Sequence, residues 1–406
     1  MYDAIIVGAR CAGSATAMLL ARRGLRVLML DRGRFPSETI SGHFIMHPGT
    51  RKLAEWGLLD RVIASGAPPI TRASFNCGDF TLSAPLAPDD GLPACIGPRR
   101  MVLDQLLVEA AIEAGAEFRA ESSVRDLLWA DQQVVGVRFR TPAGEERTER
   151  ATLVIGADGR HSLIARLVDA ARYREVAPIT CWYMGYWADL RVDGFEAHWL
   201  NDRLALALPT NDGLSLVAVG WPHASFRTVR EDVDGHYRAT VGAMPALAER
   251  FSDAILAGPY TGMADLANFF RRPCGPGWAL VGDAGHFKDP TTARGISDAF
   301  IDAELVADAV AAAHSGGISL EASLAAYQLR RDARAIPESE FNMERATLAN
   351  WGTPPQLALR AALRNNPVDT QAFMHAAMGI TPREQFFTAE NIGRVMAAAR
   401  ATSVAS

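Results

Sequence analysis

The chain opens on an apolar run, Ala4 to Val7, with no alternating polar position, the pattern of a strand buried on both faces of a parallel sheet. A turn from Gly8 to Gly13 follows at once. Beyond it, Ser14, Ala15 and Ala17 belong to a helix predicted over about Ala12 to Arg23 and ended by Gly24, a natural C-terminal cap. Val27 to Leu30 reads as a second strand, closed by Asp31. Strand, helix and strand within about 30 residues form the minimal dinucleotide-binding unit.

Downstream, Leu53 to Leu59 and Met101 to Gly115 carry helical spacing, and a Pro-rich, partly extended stretch lies between them. Val124 to Val137 reads as two strands of a hairpin or meander, and Thr152 to Ile155 as an apolar strand leading into Gly156-Ala157-Asp158-Gly159. From Thr180 to Trp221 the rhythm becomes alternation, as in Leu204 to Leu208 and Leu214 to Val219, which predicts a mainly antiparallel sheet. Trp278 to Val281 returns to the buried parallel-strand pattern. Apolar residues at Ile296, Phe300, Ala303, Val306 and Val310 then mark a helix over 296 to 313, and only helical segments are expected after about residue 335.

Composition narrows the function. With 406 residues the chain is long enough for two or three compact units. A net charge of −5 without basic runs argues against a nucleic-acid partner. The five cysteines are scattered with no C-x-x-C pair, which suits a reduced, cytoplasmic protein. The first residues lack a signal-peptide pattern, and no apolar stretch reaches the roughly 20 residues of a membrane helix. No His, Cys and carboxylate cluster has metal-ligand spacing, and no G-x-S-x-G turn marks a serine nucleophile. Lys52 and Lys288 are the only lysines, so either stands out as candidate chemistry.

Gly8-Ala9-Arg10-Cys11-Ala12-Gly13 fills the G-x-G-x-x-G frame, with Arg10 in place of the middle glycine that lets backbone approach a pyrophosphate. Arginine can itself pair with phosphate. The turn follows a strand, opens a helix whose N-terminus attracts anions, and precedes Asp31 where a ribose-binding acid is expected. A second signal is the strand Ala279-Leu280-Val281 ending in Gly282-Asp283, followed by Asp289-Pro290-Thr291-Thr292-Ala293-Arg294-Gly295 and a helix. Two more are Gly156-Ala157-Asp158-Gly159 and Arg100-Met101-Val102-Leu103-Asp104.

In this order the four segments resemble the para-hydroxybenzoate-hydroxylase-like FAD monooxygenase superfamily, over residues 4 to about 310. The resemblance implies an α/β fold. A Rossmann-like FAD-binding domain of glutathione-reductase type, residues 1–70, 96–175 and 265–335, would carry an inserted, mainly antiparallel substrate domain, residues 71–95 and 176–264, and a C-terminal helical region, 336–406. It implies FAD contacts from Gly8, Ala9, Arg10, Cys11, Ala12, Gly13, Asp31, Arg32, Arg100, Val124, Asp158, Gly282 and Asp283, with Asp283 on the ribityl chain. Pro290, Thr292, Ala293, Arg294, Gly295 and Ile296 would pass beside the flavin ring, where the N-terminus of the following helix favours negative charge on the pyrimidine end. Ala293-Arg294-Gly295 departs from the Gly-Gln-Gly common there, and Asp31 from the commoner glutamate.

The same resemblance implies an enzyme that takes electrons from NADPH or NADH and uses O2, captured at the flavin C4a position, to oxygenate an aromatic or polycyclic small molecule; a monomer or homodimer is expected. The segment Phe35-Pro36-Ser37-Glu38-Thr39-Ile40-Ser41-Gly42-His43 is also similar to the geranylgeranyl-reductase and halogenase branches, so reduction of carbon–carbon double bonds is the alternative. Halogenation ranks behind both, because Trp182 to Trp187 lacks the W-x-W-x-I-P pattern. An NAD-binding protein without catalysis is the reading from another class. His43, His286 and Lys288 lie in segments expected near the flavin and are candidate proton carriers, set against a structural role for each. Trp182, Tyr186 and Trp221 are candidate walls of a substrate pocket, set against ordinary packing in the sheet core.

Overall fold

The computed structural model describes residues 1–348 and 353–405. Strand Tyr2–Val7 lies in a parallel sheet between Glu146–Gly156 and Val27–Leu30, with Trp278–Leu280 and Glu117–Arg119 flanking them. Both faces are covered, which is why the run has no polar position: Ala4 and Ile6 pack against Met18 and Leu20, whereas Ile5 and Val7 pack against Val137 and Phe139. Helices Cys11–Arg22, Arg100–Glu113 and Gly295–His314 supply the first layer. A meander of Ser123–Ala130, Gln133–Arg140 and the start of Glu146–Gly156 supplies the second.

The expected helix over Leu53 to Leu59 is two helices, His47–Glu55 and Leu59–Ala64. Gly57, at φ +72°, breaks the run.

The second large sheet runs Ile255–Leu256, Thr180–Ala188, Ser215–Pro222, Arg203–Pro209, Phe195–Leu200, Arg72–Asn76, Thr81–Pro85. All its pairings are antiparallel except that of Phe195–Leu200 with Arg72–Asn76. Helices between Phe226 and Phe251 cover one face. The other receives Phe44 and Met46 from the nucleotide-type domain, and Leu359, Leu363, Phe373 and Met374 from the helices Pro354–Leu363 and Pro367–Ala377.

Helix Leu320–Ala346 runs without a break through the boundary expected at 335/336. Its first half docks on the parallel sheet, Tyr327 donating to the Leu280 carbonyl at 2.9 Å. Its second half reaches the loop after Asp289, where Asn342 donates to the Asp289 carbonyl at 3.0 Å.

Candidate functional site

Three turns meet at the C-terminal ends of the parallel strands, where open α/β sheets bind ligands. Gly8 has φ +100°, and a Cβ there would sit 2.5 Å from the Ala157 carbonyl oxygen. A Cβ on Gly13 would lie 1.8 Å from the Gly8 oxygen, and one on Gly282 (φ +60°) would meet Ala12 at 2.8 Å. The glycines at these positions are steric requirements of the convergence.

The first amide of helix Cys11–Arg22 with an intrahelical partner is that of Ser14, which donates to the Arg10 carbonyl. Among the described residues no protein acceptor meets the amides of Cys11, Ala12 or Gly13. Such an orphaned helix start is an anion site. Asp31 is buried and held by the amides of Ala9 and Gly33, each at 2.7 Å. A carboxylate oxygen can accept a second hydrogen bond, so both remain usable by a ligand hydroxyl. Arg32 beside it is exposed, and the Val124 side chain lies in the core under the meander, leaving its backbone as the part a ligand could meet.

Arg10 takes an extended backbone (φ −94°, ψ −162°) and lays its guanidinium sideways, 5.4 Å from the Phe35 ring centroid. One nitrogen pairs with Asp104 at 2.5 Å and another with Ser37 at 3.1 Å. Asp104, buried, also receives Arg100 at 3.0 Å and the Cys11 thiol at 3.4 Å. Two guanidiniums thus share one carboxylate beneath the glycine turn, leaving local positive charge for an anionic ligand. Asp104 stands one helical turn after Arg100, an i,i+4 pairing visible in sequence, yet its link to Arg10 spans 94 residues.

Asp283 carries the strongest sign of a ligand. Solvent reaches the residue, yet the protein around it is dense enough for desolvation to raise its pKa, against the pull of His286, Arg100 and Arg160. Its carboxylate makes no protein hydrogen bond among the described residues. This is an open acceptor at the C-terminal ends of the parallel strands. Asp158 differs: one oxygen caps helix Leu163–Leu167 through the amides of Leu163 (2.6 Å) and Ile164 (3.2 Å), and the other is buried without a partner among the described residues.

The loop after Asp283 is pinned from three sides. Asp289 accepts the Thr180 hydroxyl at 2.5 Å and the Thr291 amide at 3.0 Å, while its own amide donates to Asn268 at 2.7 Å. Pro290–Thr292 forms a single 3-10 turn, and Ala293 is left-handed at φ 52°. Thr292 and Arg294 are engaged with the long helix Leu320–Ala346: the Thr292 hydroxyl donates to Asn342 at 2.6 Å, and Arg294 pairs with Glu338 at 2.8 Å. Gly295 starts the next helix, and Ile296 is buried in the core.

His286 and Lys288 are likewise engaged in packing. His286 contacts Asp302 at 2.8 Å and stacks on Phe270, and Lys288 pairs with Asp298 at 2.5 Å. Although burial disfavours its charge, Lys288 and Arg334 hold Asp298 far below the usual carboxylate range. Both candidates therefore sit in a buried charge cluster at the start of helix Gly295–His314.

His43 is fully buried, its ring stacked on Tyr186 with centroids 5.6 Å apart and planes 6° apart. Nδ1 lies 3.2 Å from the Gly97 carbonyl oxygen, and Nε2 has no partner among the described residues. Burial, aided by the nearby Arg100 and Arg99 charges, lowers its pKa to about 3, so the ring is neutral.

The period of two in a strand divides the aromatic candidates. Trp182 and Tyr186 share a face of Thr180–Ala188 with Met184, on the side of Phe44 and Met46. Trp221 pairs in register with Cys181 and points to the opposite face, where its indole N–H donates to Thr240 at 3.2 Å within the helical layer. As a substrate wall Trp221 is thus corrected to a core residue.

The orphaned amides at Cys11 to Gly13, the cradle that any Cβ at Gly8, Gly13 or Gly282 would fill, and the open Asp283 carboxylate fit FAD: diphosphate at the helix start, adenosine ribose at Asp31, ribityl chain at Asp283. Comparison with known proteins also points to FAD. A family described as an FAD binding domain matches residues 1–227. A digeranylgeranylglycerophospholipid reductase of Methanopyrus kandleri is 27% identical over 350 residues, covering 81% of this chain and 82% of that protein. The flavin-dependent brominase Bmp2 superposes with a TM-score of 0.80 at 19% identity, covering 100% of both chains. PqsL of Pseudomonas aeruginosa, described as a probable FAD-dependent monooxygenase, superposes with a TM-score of 0.67 at 21% identity over 94% of this chain and 100% of that one. The chain belongs to the FAD binding domain family, within the superfamily of FAD-dependent oxidoreductases.

Proposed function

We propose that this oxidoreductase is a monooxygenase that uses NADPH or NADH and O2 to oxygenate an aromatic or polycyclic small molecule. The observation that supports the reading is the placement of strand Thr180–Ala188. Its first residue is hydrogen-bonded to Asp289 of the loop after Asp283, and its face bearing Trp182, Met184 and Tyr186 turns toward Phe44 and Met46. Trp182 and Met184 are packed there as Trp221 is on the other side, and the half-buried Tyr186 is the part of this face that a flat apolar substrate could meet.

Bound FAD would supply electron transfer from the nicotinamide and activation of oxygen. The chain's own part is binding and exclusion of water. The helix start at Cys11 and the Arg10–Asp104–Arg100 group hold the phosphates, and Asp283 holds the ribityl hydroxyls. The pinned loop 289–295 aims the start of helix Gly295–His314, whose partial positive charge stabilises an electron-rich ring.

The relationship to a digeranylgeranylglycerophospholipid reductase favours a second reading, reduction of a carbon–carbon double bond on the same apolar face. Phenolic and polycyclic compounds screened for stimulated NADPH or NADH oxidation in an oxygen electrode separate the two. A monooxygenase consumes one O2 per nicotinamide in the presence of substrate and makes no product anaerobically. Anaerobic turnover without oxygen uptake overturns the monooxygenase reading in favour of the reductase.

A further inference from the structure

Asp289 is 2% exposed, yet every group that meets its carboxylate among the described residues is neutral. One oxygen accepts the Thr180 hydroxyl at 2.5 Å, and the other accepts the Thr291 hydroxyl at 2.5 Å and the Thr291 amide at 3.0 Å. Asn268 and Asn342, from strand Asn268–Arg271 and helix Leu320–Ala346, hold the backbone of the residue. Cys181 also lies near, a thiol that burial, aided by the Asp289 charge, pushes up to about 11. Lys288, adjacent in the chain, is committed to Asp298 at 2.5 Å. A buried charge without a counter-ion is costly, and burial raises the pKa of Asp289 in spite of its donors.

The two carboxylate oxygens differ. The Trp182 indole, which can only donate, gives its N–H to the Thr180 hydroxyl oxygen at 2.7 Å. The single hydrogen of Thr180 is spent on Asp289, so the oxygen it meets is fixed as an acceptor. The Thr291 hydroxyl has no second partner among the described residues. It can donate to a carboxylate or, by turning, accept from a carboxylic acid. Asp289 is thus built to gain a proton on that oxygen through rotation of one hydroxyl.

We propose that Asp289 is a redox-linked proton site, ionised while the flavin is oxidised and protonated from solvent when the flavin is reduced. The inference rests on the FAD reading above and adds a role for the loop that follows Asp283. The ring takes two electrons and one proton and keeps one negative charge, and Asp289 takes a second proton that offsets it. The electrons come from the nicotinamide, or from dithionite in the test. At an effective dielectric of about 20, a unit negative charge within about 10 Å raises the proton affinity of an acid by roughly tenfold. The coupling is reciprocal: a protonated Asp289 makes the flavin easier to reduce.

The test titrates FAD-loaded protein with dithionite and reads the two-electron midpoint potential between about pH 5 and 9. For a two-electron couple a tenfold change in proton affinity corresponds to about 30 mV. The wild-type potential should therefore fall at least about 30 mV further over that range than the potential of Asp289→Asn. Oxidised-minus-reduced infrared spectra should show a protonated carboxyl stretch that appears on reduction of wild type, is missing in Asp289→Asn and is shifted in Thr291→Val, which keeps the acid and removes the hydroxyl that turns. Potentials that run parallel in wild type and Asp289→Asn, or no protonated carboxyl on reduction of wild type, overturn the proposal. Where Asp289→Asn does not hold FAD, Thr291→Val decides: a carboxyl band shifted by loss of the hydroxyl supports the site, and an unmoved band overturns it. Wild type that takes up no FAD overturns the FAD reading itself, and this inference with it.

Discussion

Single residues in the cleft are held in states that protein packing alone does not favour. Asp283 is the clearest: an acid whose pKa is raised on folding binds protons more readily in the native state, so its contribution weakens the protein as pH rises through the folded value. Asp283→Asn should therefore raise the thermal midpoint of the FAD-free protein at pH 7 relative to wild type. A lower midpoint would show that the carboxylate has a protein partner. His43 has the opposite sign. With a folded pKa of about 3 against roughly 6.5 unfolded, the unfolded chain takes the proton first. Stability is then complete above about pH 6.5 and falls by up to about 1.4 kcal/mol per pH unit below it. Denaturant titrations between pH 6.5 and 4 should show a shallower slope for His43→Leu than for wild type; identical slopes would place His43 in water.

At the scale of elements, what the sequence disclosed was whatever depends on near neighbours. The run Ala4 to Val7 and the helix after the glycine turn are local matters of period, and the structure holds them within a residue or two of the expected bounds. Trp182 and Tyr186 lie four residues apart on one strand and so share a face. Trp221 could not be judged that way, because its side depends on a register with Cys181 that no local pattern encodes. The same limit hid Asp104 as partner of Arg10, Thr180 as anchor of Asp289, and Asn342 as the brace of Thr292. That last link is testable. Asn342→Ala removes acceptors from the Thr292 hydroxyl and amide and a donor from the Asp289 carbonyl, so the loop beside the cofactor loosens. An increase in the FAD dissociation constant of about 5- to 30-fold is expected, one to two neutral hydrogen bonds' worth, with little change in the overall circular dichroism. Unchanged FAD affinity would mean that the loop holds its shape without the helix.

Across the whole molecule, two sheets divide the work. The parallel sheet brings three turns to one edge and leaves an open acceptor and an orphaned helix start there. The antiparallel sheet is hung from the same region by Thr180, Asn211 and Thr210, and offers its apolar face beside it. The helix Leu320–Ala346 fastens both the core of the first sheet and the loop at its edge. The account stands on the cleft at that edge being built for FAD around Asp283. The most direct measurement is calorimetric titration of FAD into cofactor-free wild type and cofactor-free Asp283→Asn. One FAD per wild-type chain is predicted, with the variant binding at least tenfold more weakly, the loss of about 1.5–3 kcal/mol expected for hydrogen bonds to a charged acceptor. Equal affinity in the two proteins, or no binding to wild type, would contradict it.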